Sequence, residues 1–256
     1  MSPTSPAEKL LRELGITEPS EIDLEAIAWH VGARIRYRKL DGCDARILGI
    51  DERAIITVDS RQNSSRQRFS IGHELGHWEH HRGQTLMCHP EDLADTGRSI
   101  SSSEQVANAY AADLLLPWYL VQPVIRGYSK LTTTTIDEVG SLFDVSRTAT
   151  AIRIIQSDEF PALLVCHNQD GRLWFNRSRC VPKRWFPQAQ LDSDSYAFDL
   201  VFGDADEKAV PSLMPAEAWF DRTEARKYDL LEQSFRVGHN VVMTLLLLSD
   251  DEMLSE

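Results

Sequence analysis

The pentapeptide His73-Glu74-Leu75-Gly76-His77 constrains this chain more than any other feature of its sequence. It lies in a stretch, 64–81, that contains no proline and is predicted to be helical. Two histidines four residues apart project from one face of a helix about a turn apart, and at that spacing both can bind one tetrahedral Zn²⁺. The fold must therefore bury this helix and still reserve one of its faces for polar side chains.

Glu74, beside the first histidine, is predicted to be a general base. Zinc lowers the pKa of a bound water from ~15.7 to about 7, so hydroxide becomes available at neutral pH. The Glu74 carboxylate would take that proton and deliver it to a leaving amine. The pentapeptide alone leaves an alternative open, because pairs of helical histidines also occur as solvated or core residues.

Glu104 supplies the third ligand that this chemistry needs. It opens a predicted helix, EQVANAYAADLLLP, which ends before Pro117. A carboxylate there completes a His₂Glu set and leaves the fourth position to water. Asn108, four residues later, lies on the same helix face and could accept the second ring N–H of a metal-binding histidine. The alternative for Glu104 is an acidic residue favoured by the helix dipole.

Other histidines and cysteines of the chain are weaker candidates for metal ligands. His81 lies four residues after His77, but a histidine in a last helical turn is more often a capping and dipole partner. The other nearby candidates have no spacing that predicts coordination and are expected in loops or on the surface: His80, Cys88 and His89. The isolated histidines are expected to satisfy local polar needs: His30, His167 and His239.

Charge and hydropathy exclude several classes of function. The formal net charge is −12, and residues 191–256 carry 15 acidic and 5 basic side chains, which disfavours sequence-independent binding to phosphate backbones. The longest apolar run, 241–248, is far shorter than the roughly 20 residues of a membrane span. No secretion signal is apparent and none of the four cysteines forms a CxxC pair, so a cytoplasmic protein is expected.

The order of predicted elements indicates an α+β chain in three parts. Two short helices, 7–14 and 23–31, precede three strands that read as a small antiparallel sheet, 33–40, 45–50 and 54–59. The last of these strands is the expected edge strand for an extended substrate, with an ordinary buried strand as the alternative. Residues 132–155 have helix-turn-helix shape with Ser146 as N-cap, but their charges sum to −1, which disfavours DNA contact. Strand patterns follow from Phe160, including 196–202.

Two motifs resemble the ImmA/IrrE family of bacterial metallopeptidases. RFSIGHELGH matches the family signature R-F-[ST]-[IL]-[AG]-HELGH, and EQVANAYAADLLLP matches ExxANxFAxxLLMP. The match covers roughly residues 1–127 and departs mildly from the family at Gly72, Tyr110 and Leu116, where Ala, Phe and Met are usual. By this resemblance His73, His77 and Glu104 would be the metal ligands and Glu74 the general base.

The resemblance also implies a fold, a domain order and a substrate. Residues 1–127 would form a gluzincin-like metallopeptidase domain, 128–157 a helix-turn-helix-like segment, and 158–256 a β-rich GAF- or PAS-like regulatory domain. Many members of the family that these motifs resemble cleave a helix-turn-helix repressor of the xenobiotic-response-element type and so release stress, phage or mobile-element genes. The cofactor would be Zn²⁺, with Mn²⁺ as the alternative. The antiparallel sheet expected in the C-terminal domain would leave a small-molecule site or a dimer contact, and the alternative role for this domain is a stabilising cap.

Two hypotheses for function follow. The first is a metal-dependent endopeptidase that inactivates a transcriptional repressor. The second is a non-catalytic regulator that uses the metallopeptidase fold as a binding platform. Glu74 favours the enzyme, because a platform needs no general base.

Overall fold

The chain divides into two compact units in a computed structural model that describes residues 4–81 and 102–255. The first unit is Met1–Val121 with Ser141–Ser146, and the second is Gln122–Gly140 with Arg147–Glu256. Both units mix helices with a sheet, which confirms the α+β class. The predicted domain boundaries at 127/128 and 157/158 do not coincide with this division and stay predictions.

The first unit places helices around a small sheet. Its elements within the described residues are α1 Pro6–Glu13, α2 Leu24–His30, β1 Ala33–Arg38, β2 Ala45–Ile50, β3 Arg53–Asp59, α3 Ser64–His81 and α4 Ser102–Leu115. Side-chain caps start the first two helices: Ser5 accepts a hydrogen bond from the Glu8 N–H, and Asp23 accepts from Glu25 and Ala26. Two further helices, α5 Trp118–Arg126 and α6 Thr133–Phe143, contain residues of both units.

The three-stranded sheet is mixed, which corrects the prediction of an antiparallel sheet. Its order is β1-β3-β2, with β1 parallel and β2 antiparallel to β3. The β2–β3 hairpin turns through Asp51, whose φ is 52°. β3 then enters between the other two strands, so the predicted edge strand 54–59 is the central strand and has no free edge. Strand patterning misses this because it encodes which residues extend and not which strands pair.

The helix α3 packs on the inner face of this sheet, where Ile47, Ile56 and Val58 are buried. A Cβ on Gly49 would lie 2.6 Å from the Trp78 ring, so only glycine at this point of β2 lets the indole pack against the strand. The Trp78 Nε1–H donates to the Val31 carbonyl at 2.8 Å, which fixes the helix to the end of α2. The pentapeptide helix is thereby held between the sheet and α4.

The second unit is built on a five-stranded antiparallel sheet of order β5-β4-β8-β7-β6. Its remaining elements within the described residues are α7 Arg147–Gln156, β4 Ala162–Asn168, β5 Gly171–Arg177, α8 Tyr196–Phe202, β6 Ser212–Pro215, β7 Asp229–Gly238, β8 Val241–Leu247 and α9 Asp251–Leu254. One sheet face carries a packed core that includes Trp185, Trp219 and Phe220. The predicted β-rich C-terminal region is confirmed.

One predicted strand of this region is wrong, since residues 196–202 form α8. Ser195 caps the helix by accepting from the Phe198 N–H. The Glu232 carboxylate on β7 accepts from the N–H groups of Tyr196 and Ala197 at 3.2 and 2.8 Å. An acceptor 35 residues away from Ala197 satisfies the first turn of this helix, and a local reading of the sequence cannot detect it.

Residues 132–155 contain two helices, α6 and α7, which are joined through Asp144 at a φ of 51°, and their helix-turn-helix arrangement stays a prediction. Arg147 of α7 contacts Asp137 at 2.6 Å and Glu207 at 3.0 Å, and Arg153 is buried. The two arginines on which DNA contact would depend are therefore engaged or covered within this unit. Among the described helices, none has the length and apolar character needed to cross a membrane.

Candidate metal centre

Two glycines bring α3 and α4 into contact along their backbones. A Cβ on Gly76 would lie 2.9 Å from the Cα of Ala107, and one on Gly72 would lie 3.2 Å from the Cα of Ala111. The separation of packed helices depends on the size of the side chains at the contact. Glycine has no side chain, so the two helix backbones lie close together here. Sequence reasoning missed this pair of contacts, although its signal is legible: small residues recur four apart on both helices.

This close approach brings three predicted site residues together. His73 and His77 face each other with their Nε2 atoms 3.0 Å apart. The Glu104 carboxylate meets both imidazoles, with Oε2 at 3.1 Å from the Nε2 of His73 and Oε1 at 3.1 Å from the Nε2 of His77. All three side chains are buried. One atom from each residue lies within 4.8 Å of the others, so the three could hold a metal ion together.

Asn108 orients the first of these imidazoles. Its Oδ1 lies 2.9 Å from the Nδ1 of His73, as its position one turn after Glu104 predicts. An amide oxygen only accepts, so Nδ1 carries the ring proton and Nε2 keeps its lone pair. Burial, followed by the neighbouring His77, lowers the pKa of His73. Burial and the neighbouring His77 therefore favour the neutral imidazole of His73, which is the form that binds a metal.

The donor set fits a divalent cation. Two imidazole nitrogens and a carboxylate oxygen converge in a buried space, and a proton can satisfy at most one of their pairwise contacts at a time. A cation at this point would satisfy all three lone pairs together, and two histidines with one carboxylate form a ligand set that Zn²⁺ uses in catalytic sites. Within the described residues this is the one group of three or more such side chains with converging donor atoms.

Glu74 is buried on the same helix, next to His73 in sequence and fully removed from solvent. Burial raises the pKa of the half-buried Cys43 thiol, and the negative charge of Glu74 raises it further. The loop between β1 and β2 therefore lies within electrostatic range of the Glu74 carboxylate. Sequence reasoning did not single out Cys43, and no local motif marks it.

The competing ligands stay outside this group. His80 is exposed, and its Nδ1 lies 2.8 Å from the Gly76 carbonyl, which is a contact within the last turn of α3. α3 ends at His81, and the His81 side chain, Cys88 and His89 lie outside the described residues. Of the isolated histidines, His30 and His239 are exposed on the surface, whereas His167 is buried in the second unit.

Comparison with known families decides what this helix pair belongs to. Residues 28–154 match the model of a family of M78 peptidases described as the IrrE N-terminal-like domain. This part of the chain is an IrrE N-terminal-like domain. The matched range includes α3 and α4 with all five predicted site residues, and it confirms the resemblance drawn from the two motifs. No curated protein matches the sequence.

Solved structures extend the fold comparison beyond the IrrE N-terminal-like domain. A Mycobacterium tuberculosis transcriptional regulator is similar with a TM-score of 0.58 and 16% sequence identity. The similarity covers 94% of this chain and 85% of that chain. At this identity the comparison shows a shared fold, which takes in the β-rich region that lies beyond the family match.

Proposed function

We propose that this protein is a metal-dependent endopeptidase that cleaves a helix-turn-helix transcriptional repressor of the xenobiotic-response-element type. The observation that carries the proposal is the convergence of His73, His77 and Glu104, beside a buried Glu74, inside an IrrE N-terminal-like domain. The peptidase domain would be gluzincin-like, because two helices supply the two histidines and the carboxylate and a sheet supports the first helix.

Each residue of the centre has a role in this proposal. His73 and His77 would hold the metal through Nε2, and Glu104 would hold it through a carboxylate oxygen. When bound, Zn²⁺ or Mn²⁺ supplies Lewis acidity, which lowers the pKa of water and polarises a carbonyl. Glu74 would accept the proton of the attacking water and pass it to the leaving amine. Asn108 would fix the tautomer and orientation of His73.

The role of Glu74 gives the test. We expect Glu74→Gln to retain about one metal per chain and the wild-type melting temperature, and to lose roughly 10²- to 10⁴-fold in cleavage rate. The substrate in the assay is a helix-turn-helix repressor of the xenobiotic-response-element type from the same organism, incubated with Zn²⁺ or Mn²⁺ and analysed by mass spectrometry of the fragments. The His73→Ala, His77→Ala double variant should lose both metal and cleavage.

Two results would contradict the proposal. If wild-type protein loaded with either metal leaves the repressor intact, the repressor is not its substrate. If Glu74→Gln cleaves at a near-normal rate, Glu74 is not the general base, and the binding-platform hypothesis is favoured.

We further propose that the second unit is a GAF- or PAS-like regulatory domain. A single antiparallel sheet with a helix and loops packed over one face supports this fold. Glu232→Gln tests regulation, because the change lies within that unit. A regulatory domain predicts an altered cleavage rate at unchanged metal content. An unaltered rate despite a lower melting temperature would indicate a stabilising role only.

A further inference from the structure

The three-stranded sheet has a second face, turned away from α3, that no described element of the first unit covers. We call it the outer face. Ile55 of the central strand pairs with Arg34 on β1 and Leu48 on β2, and Thr57 pairs with Arg36 on β1 and Arg46 on β2. The row at the hairpin end adds Arg53 and Ile50. The outer face therefore combines four arginines with three aliphatic side chains.

The charge on this face is basic although the whole chain carries a formal net charge of −12. All four arginines are exposed, and within the described residues none of them forms an ion pair with a carboxylate. Arg34 instead lies over the Trp29 ring at 4.5 Å. Arg36 and Arg46 flank Thr57 from the two outer strands, so an anionic partner lying over β3 would meet both guanidinium groups.

Apolar side chains are exposed among these charges. Trp29 is 63% exposed, Leu48 48% and Ile50 66%. Together with Arg34, Arg36 and Arg53 they line an open groove of about 950 Å³. The two hairpin residues Asp51 and Glu52 also line it, which leaves the arginines in excess. Exposed apolar side chains rimmed by polar and charged groups are typical of an interaction surface.

The dimensions of the outer face suit a helix. Three strands about 4.8 Å apart and about six residues long give a surface roughly 10 to 14 Å wide and 20 Å long. An α-helix of about 13 residues has that length and a diameter near 10 Å. Since α3 covers the inner face, a helix on the outer face would complete the layered arrangement in which both faces of a sheet are buried.

We propose that the outer face docks an acidic amphipathic helix of a partner protein. Its apolar stripe would cover Leu48, Ile50 and Ile55, and its flanking carboxylates would meet Arg34, Arg36, Arg46 and Arg53. A single-stranded nucleic acid is the weaker fit, because it needs aromatic stacking surfaces. The outer face offers one indole, which the Arg34 guanidinium already covers, and its other apolar groups are aliphatic. Docking here is independent of the proposed peptidase chemistry.

The experiment uses the full chain and a fluorescein-labelled synthetic peptide of about 14 residues, with leucines at helical spacing and glutamates on both flanks. Fluorescence anisotropy should show saturable binding that weakens as salt is raised. A scrambled peptide of the same composition should bind about tenfold more weakly, because it has no apolar stripe. A peptide with lysine in place of glutamate should not bind.

Charge reversal locates the site. Arg36→Glu with Arg46→Glu should weaken binding about tenfold or more. Lys183→Glu with Lys227→Glu changes the net charge equally at exposed positions of the second unit and should leave the affinity within about twofold. If the reversed protein melts at a lower temperature, Arg36→Gln with Arg46→Gln replaces it and should show a smaller loss of the same sign.

Three results would overturn the assignment. The first is equal peptide affinity of the outer-face and control variants. The second is a single-stranded oligonucleotide of about 14 nucleotides that binds more tightly and displaces the peptide. The third is a wild-type protein that does not bind the peptide but self-associates in light scattering, with the self-association abolished by Arg36→Glu with Arg46→Glu. Glu74→Gln protein should bind the peptide like wild type, so failure here is distinguishable from failure of the peptidase proposal.

Discussion

Each unit of this chain buries a carboxylate among polar groups, and the two carboxylates have different partners. In the second unit the Glu232 oxygens accept four hydrogen bonds, from the backbone N–H of Tyr196 and Ala197, the Trp219 Nε1–H and the Ser234 hydroxyl, at 2.8 to 3.2 Å. In the first unit the Glu104 oxygens lie 3.1 Å from two imidazole nitrogens, His73 Nε2 and His77 Nε2.

The difference lies in what each carboxylate faces. Burial raises the pKa of Glu232, and the hydrogen bonds that it accepts oppose this by stabilising the charged form. Its partners are donors, so its environment is complete. Glu104 faces two imidazole nitrogens. The Nε2 of His73 keeps its lone pair, because Asn108 accepts from the ring proton on Nδ1. A buried acid surrounded by donors supports the fold, whereas one that faces lone pairs is arranged for a cation.

Replacing Glu104 should have the largest effect on this contrast. Glu104→Gln removes a charged ligand and should lower metal affinity more than the roughly 10- to 100-fold typical for loss of a hydrogen-bond partner of a ligand. Isothermal titration with Zn²⁺ measures it, and circular dichroism should show an unchanged fold. Glu232→Gln is the matched control and should bind metal like wild type. Full retention of metal by Glu104→Gln would refute the contrast.

Asn108 should have the next largest effect. In Asn108→Ala the ring of His73 loses the acceptor that fixes its tautomer, so we expect metal affinity to fall about 10- to 100-fold with all three ligands intact. A competition titration against a zinc chelator has the required range. Asn108→Asp keeps an acceptor and should recover most of the affinity. Equal affinities of the alanine variant and wild type would show that the contact has no role in the site.

Glu232 should affect stability and not metal binding. In Glu232→Gln an amide NH₂ replaces one acceptor oxygen and faces N–H or O–H donors, so at least one buried donor loses its partner. We expect the free energy of unfolding to fall by about 1 to 3 kcal/mol, measured by urea denaturation at constant metal. Glu217→Gln, at an exposed position, should change it little. Wild-type stability of Glu232→Gln would mean that the four hydrogen bonds contribute nothing net.

The smallest expected effect concerns His167, the buried imidazole of the second unit. Burial lowers its pKa from 6.5 to about 4. The unfolded chain therefore takes up the proton first, and the stability contributed by the neutral ring is present above pH 6.5 and lost as the pH falls towards 4. Between about pH 6 and pH 5, wild type should lose about 1 kcal/mol more than His167→Leu. Parallel unfolding curves over this range would contradict the pKa shift.

The site could be predicted from sequence because its spacing is local. His73 and His77 are one turn apart on a helix, as are Glu104 and Asn108, and the two motifs identify the pairs as partners. The strand order of the sheet is not local, so the sequence predicts 54–59 as an edge strand, whereas these residues form the central strand. Residues 196–202 form a helix whose first-turn N–H groups donate to Glu232 on β7, far away in sequence. The outer face likewise becomes visible only once β1 and β2 flank β3.

The contact at Gly76 has a consequence for how this centre can evolve. Every amino acid other than glycine begins with the same Cβ, which would lie 2.9 Å from the Ala107 backbone, so no choice of rotamer relieves the overlap. Sequence drift on either helix can change the groups around the centre without changing how far apart the two helices stand. The distance across which His77 and Glu104 meet is therefore set by main-chain atoms, and it can pass unaltered through lineages whose side chains have diverged.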